Sequence, residues 1–183
     1  MNFYEKLKSI TFDDTFHYGD EEIYIRPITF DDTDNIIKWR NSDAIRCHFI
    51  YQGLFTKESH ENWLNKQVAV CKVAQFIICL KNGDVPVGSV YIRDIDFDKA
   101  YGEYGIFIGE ASARGRGIGS RTAKLMTKLA MEELSFNGLF LRVFEDNVAA
   151  VKSYENAGFK LNGKSEILDI NGINRKVVFM ELK

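Results

Sequence analysis

Apolar and polar positions alternate through EEIYIRPI (21–28), a period of two that predicts a strand. TFDD follows, setting Thr29 three residues ahead of Asp32, the spacing of a helix-starting box, and DDTDNIIKWRN (31–41) predicts a helix. A second helix is expected over residues 56–70, turning Trp63 and Leu64 inward. AQFIICL (74–80) reads as a strand, KNGDV (81–85) as a tight turn and PVGSVYIRDI (86–95) as the strand returning beside it.

The second half continues in the same manner. GEYGIFI (102–108) is strand-like, and beyond it Ile118, Thr122, Leu125, Met126, Leu129 and Ala130 recur at helical spacing. LFLRVF (139–144) predicts a short buried strand, and NVAAVKSYENAGF (147–159) a helix starting on Asn147 and stopped by Gly158. GKSEILDINGINRKVVFMEL (163–182) predicts a terminal hairpin turning at Asn171-Gly172. The expected order is β-α-α-β-β-β-α-β-α-β-β. Residues 1–20 are left as an N-terminal extension and 21–183 as one domain, since no linker, repeat or low-complexity run divides the chain.

Composition narrows the functions open to such a domain. With 24 basic and 26 acidic residues among 183, no strong basic field draws the chain to nucleic acid or to anionic membranes, so anion binding must be local. Three cysteines, 47, 71 and 79, lack metal-type spacing, which argues against a zinc site or a disulfide framework. No apolar run reaches the length of a membrane span and the N-terminus lacks a signal-peptide core, so a soluble cytoplasmic protein is expected.

Candidate chemistry concentrates between the strand predicted over 102–108 and the next helix, in GEASARGRGIGS (109–120). The first amides of a helix have no carbonyl partners and their dipoles sum to a positive end, which attracts anions. Gly115, Gly117 and Gly119 let the backbone come close to a ligand, and Arg114 and Arg116 add formal charge, so the stretch reads as a pyrophosphate cradle. It fits neither the dinucleotide pattern G-x-G-x-x-G near a first strand nor the G-K-[ST] ending of a nucleotide-triphosphate loop.

Arg114-x-x-Gly117-x-Gly119 does resemble the acetyl-CoA signature of the GNAT N-acetyltransferase superfamily, [RQ]-x-x-G-x-[GA]. LRVFEDNVAAVKSYENAGF (141–159) also resembles that family's L-x-V-x-x-x-N-x-x-A-x-x-x-Y-x-x-x-G-F, with Asn147, Ala150, Tyr154, Gly158 and Phe159 in register. The resemblance spans residues 21–183 and departs from many members in lacking a proline between Gly109 and Ala113. It implies an α/β fold with a mixed central sheet of about seven strands, splayed at its centre and flanked by about four helices.

It also implies acetyl-CoA as cosubstrate, with no metal. Cofactor contacts would fall on Phe107, Ile108, Arg114, Gly115, Arg116, Gly117, Ile118, Gly119 and Asn147. Tyr154 would protonate the leaving thiolate, and Glu103 would be the base that neutralises the amine. Core packing for Tyr154, an ordinary strand carboxylate for Glu103 and helix capping for Asn147 are the competing readings.

On the acceptor side, IIKWRNSDAIRCHFIYQGLFTKESHENWL (36–64) resembles enzymes that N-acetylate amino sugars on nucleotide carriers, and more loosely ribosomal-protein and polyamine acetyltransferases. Arg40 and Arg46 are candidates to meet a substrate phosphate and His60 to touch substrate, against pairing of the arginines with Asp43 or solvent. The expected partner is a small-molecule amine, with no nucleic acid and no membrane. Homodimers occur in the family, and a non-catalytic acyl-CoA-binding module is the alternative of another class.

Overall fold

The computed structural model describes residues 1–183. Eight strands form one sheet in the order β1-β2-β3-β4-β5-β6-β8-β7. The predicted strands appear as β2 (Ile23–Pro27), β3 (Ala74–Leu80), β4 (Val85–Asp96), β5 (Tyr101–Ile108), β6 (Gly138–Phe144), β7 (Lys160–Ile170) and β8 (Ile173–Leu182). The eighth, β1 (Tyr18–Gly19), is a two-residue edge against β2 that is too short to show alternation. Every neighbouring pair is antiparallel except β5–β6.

That parallel pair is brief, and its brevity makes the site. β5 and β6 match at Tyr101↔Gly138, Gly102↔Leu139 and Glu103↔Phe140, and no further. From Tyr104 to Ile108 the edge of β5 that faces β6 has no strand partner, while its other edge stays bonded to β4. The sheet is splayed at its centre, as the family resemblance implied.

Period-two alternation distributes side chains between two cores. Ile23, Ile25, Phe76 and Ile78 lie in a cluster of 26 buried residues, whereas the intervening Tyr24, Ile77 and Cys79 lie in a second cluster of 11. AQFIICL has a continuous apolar character because both faces of β3 are covered.

The larger core receives α5 (Ile118–Lys128), which runs on into a π-helical turn at Leu129–Glu133, and α1 (Phe3–Thr11). Residues 1–20, expected as an extension, therefore contain a helix packed on the sheet. Its start is marked by an Asn2/Glu5 capping box, and Leu7 is fully buried. The smaller core receives α2 (Thr33–Asn41) and α4 (Lys57–Trp63), the latter continuing as a π-helical turn at Leu64–Val68.

Local signals close these elements. Asp32 accepts from the Thr29 amide at 2.9 Å and binds Arg26 bidentately at 2.7 and 2.8 Å, which anchors the entry to α2. A four-residue helix, α3 (Asp43–Arg46), and α6 (Val148–Asn156) complete the helices. Asn171 and Gly172 both take positive φ, as a tight hairpin turn requires. No helix is long and apolar enough to cross a membrane.

Candidate active site

β5 leads through Gly109 and a short 3-10 turn, Ala111–Ala113, into α5, whose N-cap is Gly117. Gly115 and Gly117 adopt φ of +72° and +77°, and a Cβ built on either meets nothing within 4 Å. Their role is conformational: left-handed backbone bends the loop so that the first amides of α5 open onto a cavity. L-residues that carry a Cβ are disfavoured there by strain rather than by crowding.

The cavity measures about 810 Å³ and runs from this loop past the splay to α2 and α4. Arg114, Gly115, Gly117, Ile118 and Gly119 line one end, and Phe107, Ile108, Asn147 and Tyr154 line its middle. Arg40 from α2 and His60 from α4 line the wall those helices form. Two expected residues are placed elsewhere. Arg116 is exposed and off the cavity wall, and Arg46 is ion-paired with Asp43 and also off it.

The cradle fits a pyrophosphate: open amides at a helix start, room above the glycines and Arg114 at the rim. The unpaired edge of β5 at Phe107 and Ile108 leads from there toward the fork between β5 and β6. Asn147 accepts from the Ala150 amide at 3.3 Å and so caps α6, and its Nδ2 lies 3.4 Å from His48 Nδ1. Ser120 and Ser153, joined at 2.9 Å, tie α5 to α6 beneath the cavity.

Tyr154 projects from α6 against Tyr104 and Phe159, with ring centroids 5.9 and 6.2 Å apart. Burial raises its pKa, and the nearby Tyr91 adds to the effect, so the phenol keeps its proton at neutral pH. A protonated phenol beside the fork is a fit donor for a leaving thiolate. The ring contacts of the core-packing reading are present too, and the two roles do not exclude each other.

Glu103 sits at the crotch of the fork and is 5% exposed. Its Oε2 accepts from Arg93 Nε at 2.9 Å and Arg93 Nη2 at 2.8 Å, while Oε1 accepts from Arg142 Nε at 2.9 Å. Arg142 Nη2 adds a contact to Oε2 at 3.2 Å. Both oxygens are thus occupied by charge-assisted bonds from β4 and β6. The sequence expectation of a free base at Glu103 meets a carboxylate engaged in holding three strands together.

Arg40 is 7% exposed yet faces no carboxylate. Its guanidinium carbon is 3.4 Å from the centroid of Phe49 and 4.9 Å from that of Phe55. Nη2 donates weakly to the Tyr51 carbonyl at 3.4 Å, and Nη1 is buried with no partner. Burial pulls its pKa down to about 10, which still leaves it a cation at neutral pH. His60 is 1% exposed, has Nδ1 3.0 Å from Thr33 Oγ1 and leaves Nε2 unpartnered. Burial lowers its pKa, with Asp32 opposing the shift, so the ring is neutral.

Several cavity residues were not singled out from the sequence: Tyr91, Arg93, Arg142 and His48. An arginine in the middle of an otherwise apolar strand, as in LFLRVF, is the available signal for Arg142. Tyr91 is marked indirectly by Gly105, because a Cβ at Gly105 would collide with the Tyr91 ring lying across it.

Comparison with known proteins bears on the family and the fold. The chain belongs to the GNAT acetyltransferase family: the model of the acetyltransferase (GNAT) domain matches residues 22–160. An uncharacterized protein of Methanocaldococcus jannaschii is 30% identical over 149 residues, 79% of this chain but 29% of that protein. The spermine/spermidine N(1)-acetyltransferase of Bacillus subtilis is 33% identical over 69 residues, 38% of this chain and 42% of that enzyme. The matches thus span less than half the length of these curated relatives.

Among solved structures, spermidine N-acetyltransferase of Vibrio cholerae in complex with CoA and spermine superposes with a TM-score of 0.82 at 21% identity. That likeness covers 89% of this chain and 96% of the other. A GNAT-family acetyltransferase of Bacillus anthracis gives 0.74 at 18% identity, over 91% and 98% of the two chains. At these identities the structures establish the shared fold.

Proposed function

We propose that this protein is an acetyl-CoA-dependent N-acetyltransferase whose acceptor is a primary amine on an anionic small molecule, an amino sugar on a nucleotide carrier. The observation that carries the acceptor class is Arg40: a buried, aromatic-stacked guanidinium with an unpartnered Nη1, on the wall that α2 gives the cavity. A buried cation without a counter-ion is costly, and a substrate phosphate supplies what the fold withholds.

The open amides of residues 115–119 hold the pyrophosphate of the cosubstrate, and the unpaired β5 edge at Phe107 and Ile108 pairs with its amide arm. Acetyl-CoA supplies an acetyl thioester, which a neutral amine attacks directly in a ternary complex. The Ile108 region of the β5 edge offers backbone N–H groups to the carbonyl oxygen as it gains charge. Tyr154 gives its phenolic proton to the sulfur as it leaves.

The names of the Vibrio cholerae and Bacillus subtilis enzymes favour a second reading, a polyamine acceptor. Charge speaks for the first. The acceptor end of this cavity presents Arg40, Arg93 and Arg142 against the single carboxylate of Glu103, a poor lining for a polycation. Thiol release from acetyl-CoA, measured with nucleoside-diphosphate amino sugars, free amino sugars, spermidine and N-terminal peptides, tests the proposal. Fastest turnover with a nucleotide-linked amino sugar is expected. Preference for spermidine would overturn the acceptor class, and CoA binding without turnover on any amine would favour a non-catalytic binding module.

A further inference from the structure

The acceptor chamber has no free base. The titratable and charged groups facing it are Arg40 from α2, His48 after α3, Tyr51, His60 from α4, Tyr91 and Arg93 from β4, Glu103 and Tyr104 from β5, Arg142 from β6 and Tyr154 from α6. Arg114 serves the cofactor end. Burial keeps the phenols of Tyr91, Tyr104 and Tyr154 protonated and His60 neutral. His48 is exposed at the rim and turns Nδ1 toward the Asn147 amide nitrogen.

That leaves three arginines and one carboxylate, and both oxygens of the carboxylate are already bonded to two of those arginines. Asp94 and Glu166 approach Arg93 and Arg142 at 3.6 and 4.0 Å, but their side chains are 75% and 39% exposed and neither lines the chamber. Water screens them. The field inside is net positive.

We propose that the chamber admits the acceptor amine only in its neutral form, and that the surplus of arginine over carboxylate, not a side-chain base, removes the ammonium proton. This rests on the acetyltransferase reading above. A positive surrounding disfavours an ammonium ion by the same physics that lowers the pKa of a lysine beside another cation. The ammonium proton passes to bulk water as the amine enters. The neutral nitrogen then forms the C–N bond while the C–S bond breaks, and Tyr154 protonates the departing sulfur. The new amide nitrogen returns a proton to the phenolate through solvent, so the products are amide and free thiol.

A substrate preference follows from the proton balance. An amine with a pKa of about 7.8 is neutral about 300 times more often at pH 7 than an alkylamine of about 10.4. The favoured acceptors are amines acidified by neighbouring oxygens, as in a sugar, and polyamines are rejected without any steric barrier. Glu103, Arg93 and Arg142 act here as positioning residues that set the local field.

The test uses the wild-type protein with CoA, which cannot transfer, and a nucleoside-diphosphate amino sugar as the probe. Calorimetry between pH 5.5 and 7.5 should show the affinity rising about tenfold per pH unit and one proton released per amine bound. The N-acetylated form of the same sugar, which has no titrating amine, should bind with a flat profile, which separates the amine from protein groups. Equal affinity across the range with no proton released would overturn the proposal.

In Arg93→Gln the ratio of spermidine to amino-sugar turnover should rise at least tenfold, and an unchanged ratio would count against the proposal. If that variant fails to fold, the wild-type profile still decides. Absence of transfer to every amine would sink the acetyltransferase reading, whereas a flat binding profile alongside normal transfer would sink only this inference.

Discussion

Arg40 and Phe49 lie face to face, the guanidinium carbon 3.4 Å from the ring centroid, with no carboxylate to balance the charge. A buried cation held by aromatic rings and one long bond to a carbonyl lowers stability unless a ligand completes it. Arg40→Met should therefore keep or raise the melting temperature while cutting kcat/KM for the acceptor by roughly 10- to 100-fold, the loss of a charge-assisted contact. Acetyl-CoA affinity should not change. Steady-state kinetics with both substrates varied, beside a thermal melt, checks each half. Arg40→Lys should rescue little, because an ammonium reproduces neither the stacking nor the planar fork.

Gly117 caps α5 at φ +77° over open space. Gly117→Ala should cost about 1 kcal/mol through left-handed strain yet leave acetyl-CoA binding within a few-fold. Gly117→Glu carries the same strain and also places a carboxylate where phosphate belongs, so binding should disappear. Calorimetry on both variants separates charge from strain. Equal loss in the two would mean that the loop, not its field, is what matters.

Much of this fold is legible in the sequence, and the reasons are local. β2 follows from period-two alternation, β3 and β4 from apolar runs either side of a tight turn, and the last hairpin from Asn171-Gly172. The cradle follows from glycines at a strand-to-helix junction. The missed elements are short: two residues of β1 and four of α3 carry no period to detect. α1 has a capping box in plain view at Asn2 and Glu5, but its burial depends on the sheet it covers.

The site is less legible, because it is made by register. Arg142 and Glu103 are 39 residues apart, and they meet only because β5–β6 pairing ends at Glu103↔Phe140. His48 reaches Asn147 across 99 residues. Glu103 read as a free carboxylate in sequence for the same reason: nothing local announces its two arginines.

Tyr154→Phe should lower kcat by about 10²- to 10⁴-fold, the usual worth of a general acid. KM for acetyl-CoA should stay close to wild type. The aromatic contacts with Tyr104 and Phe159 survive the change, so melting should be little affected. Rapid-mix thiol release under saturating substrates checks the chemical step. Unchanged kcat would return Tyr154 to a packing role.

His60 is buried neutral, with its pKa lowered from the ordinary value of 6.5. Below that pH the unfolded chain binds a proton that the folded chain refuses, so stability falls as pH drops through 6.5 and is fully present above it. His60→Gln, which retains a polar group toward Thr33, should flatten the dependence. Below pH 6.5 the wild-type melting temperature should fall more steeply with pH than that of the variant. Parallel curves would show that His60 takes up its proton in place.

A crystal structure of the protein with CoA and a nucleoside-diphosphate amino sugar addresses the whole account at once. The pyrophosphate of CoA should rest on the amides of residues 115–119, its sulfur beside Tyr154, and a sugar-nucleotide phosphate on Arg40. CoA lodged away from the glycine loop, or an acceptor whose phosphates avoid Arg40, would contradict it.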